Sequence, residues 1–334
     1  MANPGKYRAD HVGDLMRPAP LLQAARDFAA GNLDRDGLTR AQDTAIDAAL
    51  QMQQDTGLDA LTDGGFRRAD APDTSAGLEQ LFQRRLQSSA AEADYLLAHA
   101  RGRIKITLPS AAHLATLLFA SHRGGAADLH EFGLRLAQWT RLELEALAAQ
   151  GVHYLQIDSP GYAALAAESS DAPTDERFAA YLAADAASLR GVKKSDECCI
   201  AIHFSDPNPG AAGPRGANDA RLEQMLSQLP ADRFVIPFGA TTPGEFECLR
   251  WVPKEKTVAL GLISSASAAL EDQNQVLDRI DQAAAVFEPD NLALCTQGSF
   301  ARRVGGEAPL GASDERRKLE LVVGVARSFW GFEL

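Results

Sequence analysis

The sequence predicts an α/β protein whose parallel strands close into a (β/α)8 TIM barrel. Eight short apolar runs each precede a helical stretch, and no hairpin signal joins one run to the next. Alternation of that kind demands a parallel sheet with crossover helices. Eight strand-then-helix units are also the number that closes a barrel. No glycine-rich dinucleotide fingerprint follows the first run, so the open doubly wound sheet is the weaker arrangement. With no internal repeat or low-complexity tract, the 334 residues are expected to form one barrel domain over 1–334.

The first strand is expected over 7–15 (YRADHVGDL), followed by helices over 21–30 and 38–56. Ala45, Ile46, Ala49, Leu50 and Met52 recur at helical spacing, and Gly57 is placed as a C-cap glycine. The second strand is 58–63 (LDALTD), running into Gly64-Gly65-Phe66-Arg67-Arg68 and a polar loop over 68–77. Helices over 78–87 and 90–100 lead to the third strand, 103–109 (RIKITLP), with β-branched alternation. Helices over 111–120 and 127–150 follow, the second carrying Leu134, Leu136, Trp139, Leu142, Leu144 and Leu147. The fourth strand, 152–158 (VHYLQID), is broken by Ser159-Pro160-Gly161, and a helix over 174–189 places Asp175 and Glu176 where the helix dipole favours acids.

The fifth strand spans 198–204 and is stopped by Asp206-Pro207-Asn208-Pro209-Gly210. A glycine- and proline-rich loop over 207–218, read as lying over the barrel mouth, precedes a helix over 220–229. The sixth strand (233–238) leads to a helix over 242–249, the seventh (257–263) to one over 268–287, and the eighth (291–295) to one over 314–327. The closing Phe329-Trp330-Gly331-Phe332 is apolar enough to dock on the barrel or on a partner, so a homo-oligomer is one expectation.

The net charge of −12 and pI of about 5.1 come without a basic stripe. Neither nucleic acid nor an anionic membrane is an expected partner; a small molecule is. No apolar run approaches the 18 or so residues that span a bilayer. Cys198, Cys199, Cys248 and Cys295 form no C-x-x-C pair, and the first two fall in a buried strand. Reduced, packed thiols and an N-terminus without a signal-peptide core point to a cytoplasmic protein.

In a barrel the carboxyl ends of the strands converge, and chemistry is placed there. His203 ends the fifth strand, where it is a candidate base, ligand or substrate clamp. Asp158 directly follows a buried strand, and His11 ends the first; with His203 they form the candidate catalytic set for acid–base work. Candidate substrate-binding residues are Asp14, Asp63, Arg67, Arg68, Ser110, Asp206, Phe238 and Gln297. One of the two arginines pointing inward would clamp a carboxylate in bidentate fashion, whereas Asp14, Asp63 and Ser110 also read as turn or helix caps. No G-x-S-x-G elbow supports serine hydrolysis, and the short His203-x-Ser205-Asp206 run has too few ligands for zinc by itself.

The stretches YRADHVGDLMRP (7–18), TDGGFRR (62–68), KITLPS (105–110), YLQIDSP (154–160), IHFSD (202–206), FECLRWVPKEKTVALGLISS (246–265) and LALCTQGSF (292–300) together resemble the catalytic barrel of cobalamin-independent methionine synthase, above all its short single-domain relatives. The resemblance implies a barrel of the methionine synthase and uroporphyrinogen decarboxylase type. It also implies a zinc ion that holds a substrate thiol as thiolate while a methyl group arrives from a folate. Of the four implied zinc ligands, His203 matches the first. Ser205, Pro237 and Gly298 stand at the other three, so zinc is not expected and no other cofactor is. The family's Asp-Gly-Glu is Asp63-Gly64-Gly65, its Asp-Glu-Pro is Asp158-Ser159-Pro160, and its His-Val-Gly-Ser is His11-Val12-Gly13-Asp14. The scaffold is kept and its mouth rebuilt.

The reading that follows is a metal-free barrel enzyme acting on a small polar or anionic molecule, as a lyase or by group or alkyl transfer, including cleavage of an ether, C–S or C–O bond. The alternatives are a methyltransferase of the homocysteine type, with folate as methyl donor, and a non-catalytic small-molecule-binding barrel.

Overall fold

The computed structural model describes residues 7–68, 77–122, 124–168, 172–204, 219–239, 244–300 and 310–331. Six parallel strands follow one another around the sheet in chain order: β1 (Lys105–Pro109), β2 (Tyr154–Asp158), β3 (Cys199–His203), β4 (Arg233–Pro237), β5 (Thr257–Ile263) and β6 (Leu292–Thr296). Two earlier segments complete the ring through single parallel bridges. Leu61 pairs with Ile104 ahead of β1, and Ala9 pairs with Leu294 beyond β6. The two segments meet where the Asp59 amide donates to the Ala9 carbonyl and the Ala9 amide donates to the Asp59 carboxylate, 2.9 Å away. A side chain replaces the ladder there, so the first two expected strands shrink to bridges while the eightfold closure stands.

The outer layer is α1 (Ala19–Ala29), α2 (Arg35–Thr56), α3 (Leu78–His99), α4 (Ala111–His122), α5 (Leu129–Gln150), α6 (Gly161–Ala167), α7 (Ala172–Leu189), α8 (Asp219–Gln228), α9 (Gln273–Ala284) and α10 (Ala312–Trp330). Strand side chains alternate between the two faces. Ile106, Leu108, Leu155, Ile157, Ile200 and Ile202 pack outward against the helices in the main core. Tyr7, Val12, Ala60, Tyr154, Cys199, Ala201, Val235, Ala259, Ala293 and Cys295 form a second cluster inside the ring.

The lower interior is polar but paired. Lys105 and Asp10, both fully buried, lie 2.9 Å apart, and Lys105 also donates to the His11 carbonyl. The Tyr154 hydroxyl donates to Asp10, and Arg233 donates to the Tyr7 carbonyl. Burial works against the charge of Asp10, yet Lys105 and Arg233 hold its carboxyl below the usual range. A buried pair of this kind specifies an arrangement more than it stabilises one.

Several expectations shift in detail. The two helices over 78–100 are one, because Ser89 at the expected break donates to the Leu86 carbonyl and to Glu143 and so fits the helix. The expected helix over 242–249 is a 3-10 turn at Glu247–Trp251, and residues 240–243 lie outside the described set. The helix expected from 268 begins at Gln273, because the Asp272 carboxylate caps it by accepting from the Gln275 amide. Gly161, read as a breaker, opens α6. The last helix runs on to Trp330, whose indole donates to the Pro289 carbonyl while Arg8 stacks on its ring. The aromatic end therefore docks on this chain's own barrel, Phe332 lying outside the described residues. The four cysteines are free and buried, and no helix among the described residues is long and apolar enough to cross a membrane.

Candidate active site

The carboxyl ends of β2 and β3 are in register, Asp158 opposite His203. Asp158 Oδ1 lies 3.0 Å from Nδ1 of His203 and accepts from the Gln156 side-chain amide at 2.8 Å. A carboxylate against Nδ1 makes that nitrogen the N–H donor, so the neutral ring presents a lone pair at Nε2. Burial opposes ionisation of Asp158, but the hydrogen bonds from His203 and Gln156 and the charge of His203 hold its carboxyl below the usual range.

Beside this pair sits Arg68. Its guanidinium bonds Asp14 and Glu92, each at 3.0 Å, and the Thr107 hydroxyl at 2.9 Å. Thr107 is in register with Gln156, which joins the two groups across the first strands of the sheet. Asp63 and Asp158 act electrostatically on the same guanidinium. Four carboxyl groups thus surround one arginine. Burial raises Asp14, with Asp63 and Asp158 adding to the effect and Arg68 resisting it. Burial likewise pushes Glu92 up against the pull of Arg68.

Three buried polar atoms here have no partner among the described residues: Nε2 of His203, Oε1 of Gln156 and Oδ2 of Asp63. The other Asp63 oxygen accepts from the Gly65 amide at 2.7 Å. With Nδ1 of His203 and the amide nitrogen of Gln156 both committed to Asp158, Oε1 of Gln156 is an acceptor, as are Nε2 of a neutral His203 ring and Oδ2 of an ionised Asp63. Leaving such groups unmet is costly, so these are the open polar positions of the mouth among the described residues.

Other expected site residues serve elsewhere. His11 faces away from the mouth, its Nε2 3.1 Å from the Gln53 side chain on α2. Burial and Lys105 lower it to about 4, which favours the neutral ring. Arg67 is paired with Asp43 and stacked on Tyr95, on the helical layer. Ser110 is fully buried and caps α4 by accepting from the His113 amide, as its turn-cap reading has it. Arg68 does face the mouth, but its guanidinium is already bonded to Asp14, Thr107 and Glu92, so it is not a free clamp for an anion. Phe238 is buried against Phe246, and its carbonyl accepts from Gln297. Asp206 lies outside the described residues.

Thr107, Gln156 and Glu92 went unrecognised in the sequence. The first two had a signal, being polar residues at inward-facing positions of strands. Glu92 had none: it is one acid among several on a long helix.

The zinc that the resemblance implies does not fit these residues. The neighbouring β4 ends in Pro237 and the chain after β6 presents Gly298, neither side chain with a donor. Cys295 is sealed in the barrel interior, where burial and Asp10 push its thiol up, away from the thiolate that zinc binds. No group of three or more His, Cys, Asp or Glu side chains among the described residues is placed to hold a metal.

A closed eight-segment barrel with a carboxylate–histidine pair at its mouth has the fold of the vitamin-B12-independent methionine synthase barrels. A Listeria monocytogenes protein provisionally assigned as such a synthase superposes with a TM-score of 0.74 at 21% identity, over 98% of this chain and 99% of that one. A B12-independent methionine synthase from Shewanella sp. W3-18-1, solved in complex with selenomethionine, gives 0.70 at 18% identity, over 97% of each chain. In sequence the chain is 27% identical to the uncharacterized protein YxjH of Bacillus subtilis (strain 168), over 97% of its own length and 95% of that protein, and 26% identical to YxjG of the same organism. No protein-family model matches.

Proposed function

We propose that the barrel is a metal-independent enzyme in which the Asp158–His203 pair moves protons on a small polar molecule. The carrying observation is Nε2 of His203, without a partner among the described residues and backed by a carboxylate on Nδ1. As a base, Nε2 takes a proton from the substrate carbon next to a C–O or C–S bond. The C–H electron pair forms the new double bond, and the C–O or C–S pair leaves with the heteroatom. The imidazolium then returns its proton to that atom, with ionised Asp158 stabilising the charged ring in between. Elimination is therefore favoured, and alkyl transfer to a second substrate uses the same pair as acid.

The free acceptors on Gln156 and Asp63, and four carboxyl groups against one arginine, favour a substrate that brings hydrogen-bond donors, such as an ammonium group, over an anion. The methyltransferase reading, with a methylated folate as donor, draws support from the methionine synthase folds it superposes on. It needs a way to form the thiolate that His203 alone would have to supply.

The test is a thermal-shift screen of amino compounds, carboxylates and neutral polyols, with turnover measured for any binder. Binding confined to amino compounds, with turnover lost in His203→Ala but binding kept, is the expected result. Stoichiometric zinc on the purified protein would overturn metal independence. Binding without turnover of any binder would point to the non-catalytic barrel.

A further inference from the structure

Asp185 on α7 is a fully buried carboxyl that the proposed chemistry does not use. It sits behind the mouth and touches four elements. The Ser159 hydroxyl donates to its Oδ2 at 2.6 Å, and the Ala112 amide at the start of α4 donates to its Oδ1 at 2.9 Å. The Ser159 hydroxyl is also 3.0 Å from that of Ser110 and 3.3 Å from that of Tyr181. Ser110 and Tyr162 of α6 also pull the carboxyl down, although the Tyr162 hydroxyl makes no hydrogen bond among the described residues. The groups acting on it most strongly are neutral: hydroxyls at the β1 and β2 ends and on α6, and one amide on α4. Tyr181, beside it on α7, is held neutral by burial and by Asp185 itself. Gly161 keeps this cage closed, since a Cβ there would stand 2.5 Å from the Tyr181 ring.

The cage grips the strand ends of the mouth. Ser159 follows Asp158 directly, and its amide donates to the His203 carbonyl, while the Ser110 amide donates to the Asp158 carbonyl, each at 2.9 Å. We propose that Asp185 is a proton-linked positioning residue for the mouth, setting the Asp158–His203 contact through Ser159. Ionised, it accepts from Ser159, whose oxygen is then left to accept from Ser110. Protonated, it donates, and the order of hydroxyl bonds along Asp185–Ser159–Ser110 reverses. Burial pushes the carboxyl up to about 6, so both states occur near neutral pH. Of the proposed function this rests only on the Asp158–His203 contact, not on the reaction.

The experiment is an NMR pH titration of the full chain. It follows the Ala112 amide as reporter of Asp185 and the His203 ring nitrogens as reporter of the mouth. The expected result is a component near pH 6, at the Ala112 midpoint and additional to the protonation of the ring itself, shared by both signals in the wild type and absent from both in Asp185→Asn. In Ser159→Ala it is retained at Ala112 and lost from His203. Should Asp185→Asn not fold, Ser159→Ala carries the test alone. A His203 profile unchanged in either variant would overturn the inference, as would an Ala112 amide that does not titrate. Because no outcome depends on turnover, failure here is separable from failure of the enzyme reading.

Discussion

Asp158 Oδ1 accepts from both Nδ1 of His203 and the side-chain amide of Gln156. That double contact fixes the ring tautomer and leaves Nε2 bare. Asp158→Asn removes the preference and should let the Nε2–H tautomer grow. Long-range proton–nitrogen correlation spectra would show His203 shifting from one tautomer toward a mixture. Turnover should fall on the order of 10³–10⁴-fold, the cost of a misplaced tautomer in comparable carboxylate–histidine pairs.

Arg68 holds Glu92 and Asp14 together, with Glu92 nearly buried. Arg68→Met leaves Glu92 without its cation, and since burial already pushes that carboxyl up to about 8, the cost of an unpaired charge, up to about 3 kcal/mol, should develop only well above pH 8. Burial already favours the protonated form of Glu92, and the variant favours it further. The charge-dependent deficit should therefore be absent at pH 5.5, where Glu92 carries its proton with or without Arg68, and appear toward pH 9.5. Urea unfolding at the two pH values reads the difference.

Gly65 has a φ of +69°, and a Cβ there would stand 2.2 Å from the Asp14 carboxyl carbon. Gly65→Ala should cost on the order of 3 kcal/mol, one part from the left-handed backbone and the larger part from displacing Asp14 out of its pair with Arg68. In an Asp14→Ala background the same change should cost about 1 kcal/mol, the backbone part alone. A double-mutant cycle by thermal unfolding measures that coupling.

The eight strand runs were legible because each is a short apolar stretch ended by a turn residue. Closure by side chain at Asp59 and Ala9 was not, since an aspartate on an edge segment reads as surface. His203 and Asp158 were singled out from position, since both end buried strands, and the fold brings their side chains to 3.0 Å. His11 looked equivalent but turns outward, because a single bridge at Ala9 lets the chain leave the ladder before it. The two arginines at 67 and 68 are adjacent in sequence and opposite in direction, which composition does not reveal. Asp185 and Glu92 come from helices distant in sequence, so only packing brings them to the strand ends.

Glu315, on the first turn of α10, accepts from the Met16 amide at 2.7 Å and is almost wholly buried. Burial raises its carboxyl from 4.5 to about 7, the hydrogen bond from Met16 opposing. Below pH 4.5 both folded and unfolded chains carry the proton and the residue is neutral in its effect. As pH rises from 4.5 toward 7, the unfolded chain ionises first, so the residue becomes destabilising through that window and the penalty stays constant above it. Glu315→Gln keeps an acceptor for Met16 without the titration. It should match the wild type near pH 4 and exceed it by up to about 3 kcal/mol above pH 8. Chemical denaturation at a series of pH values checks this, and equal stability at pH 8 would show that the carboxylate is ionised at no cost where it lies.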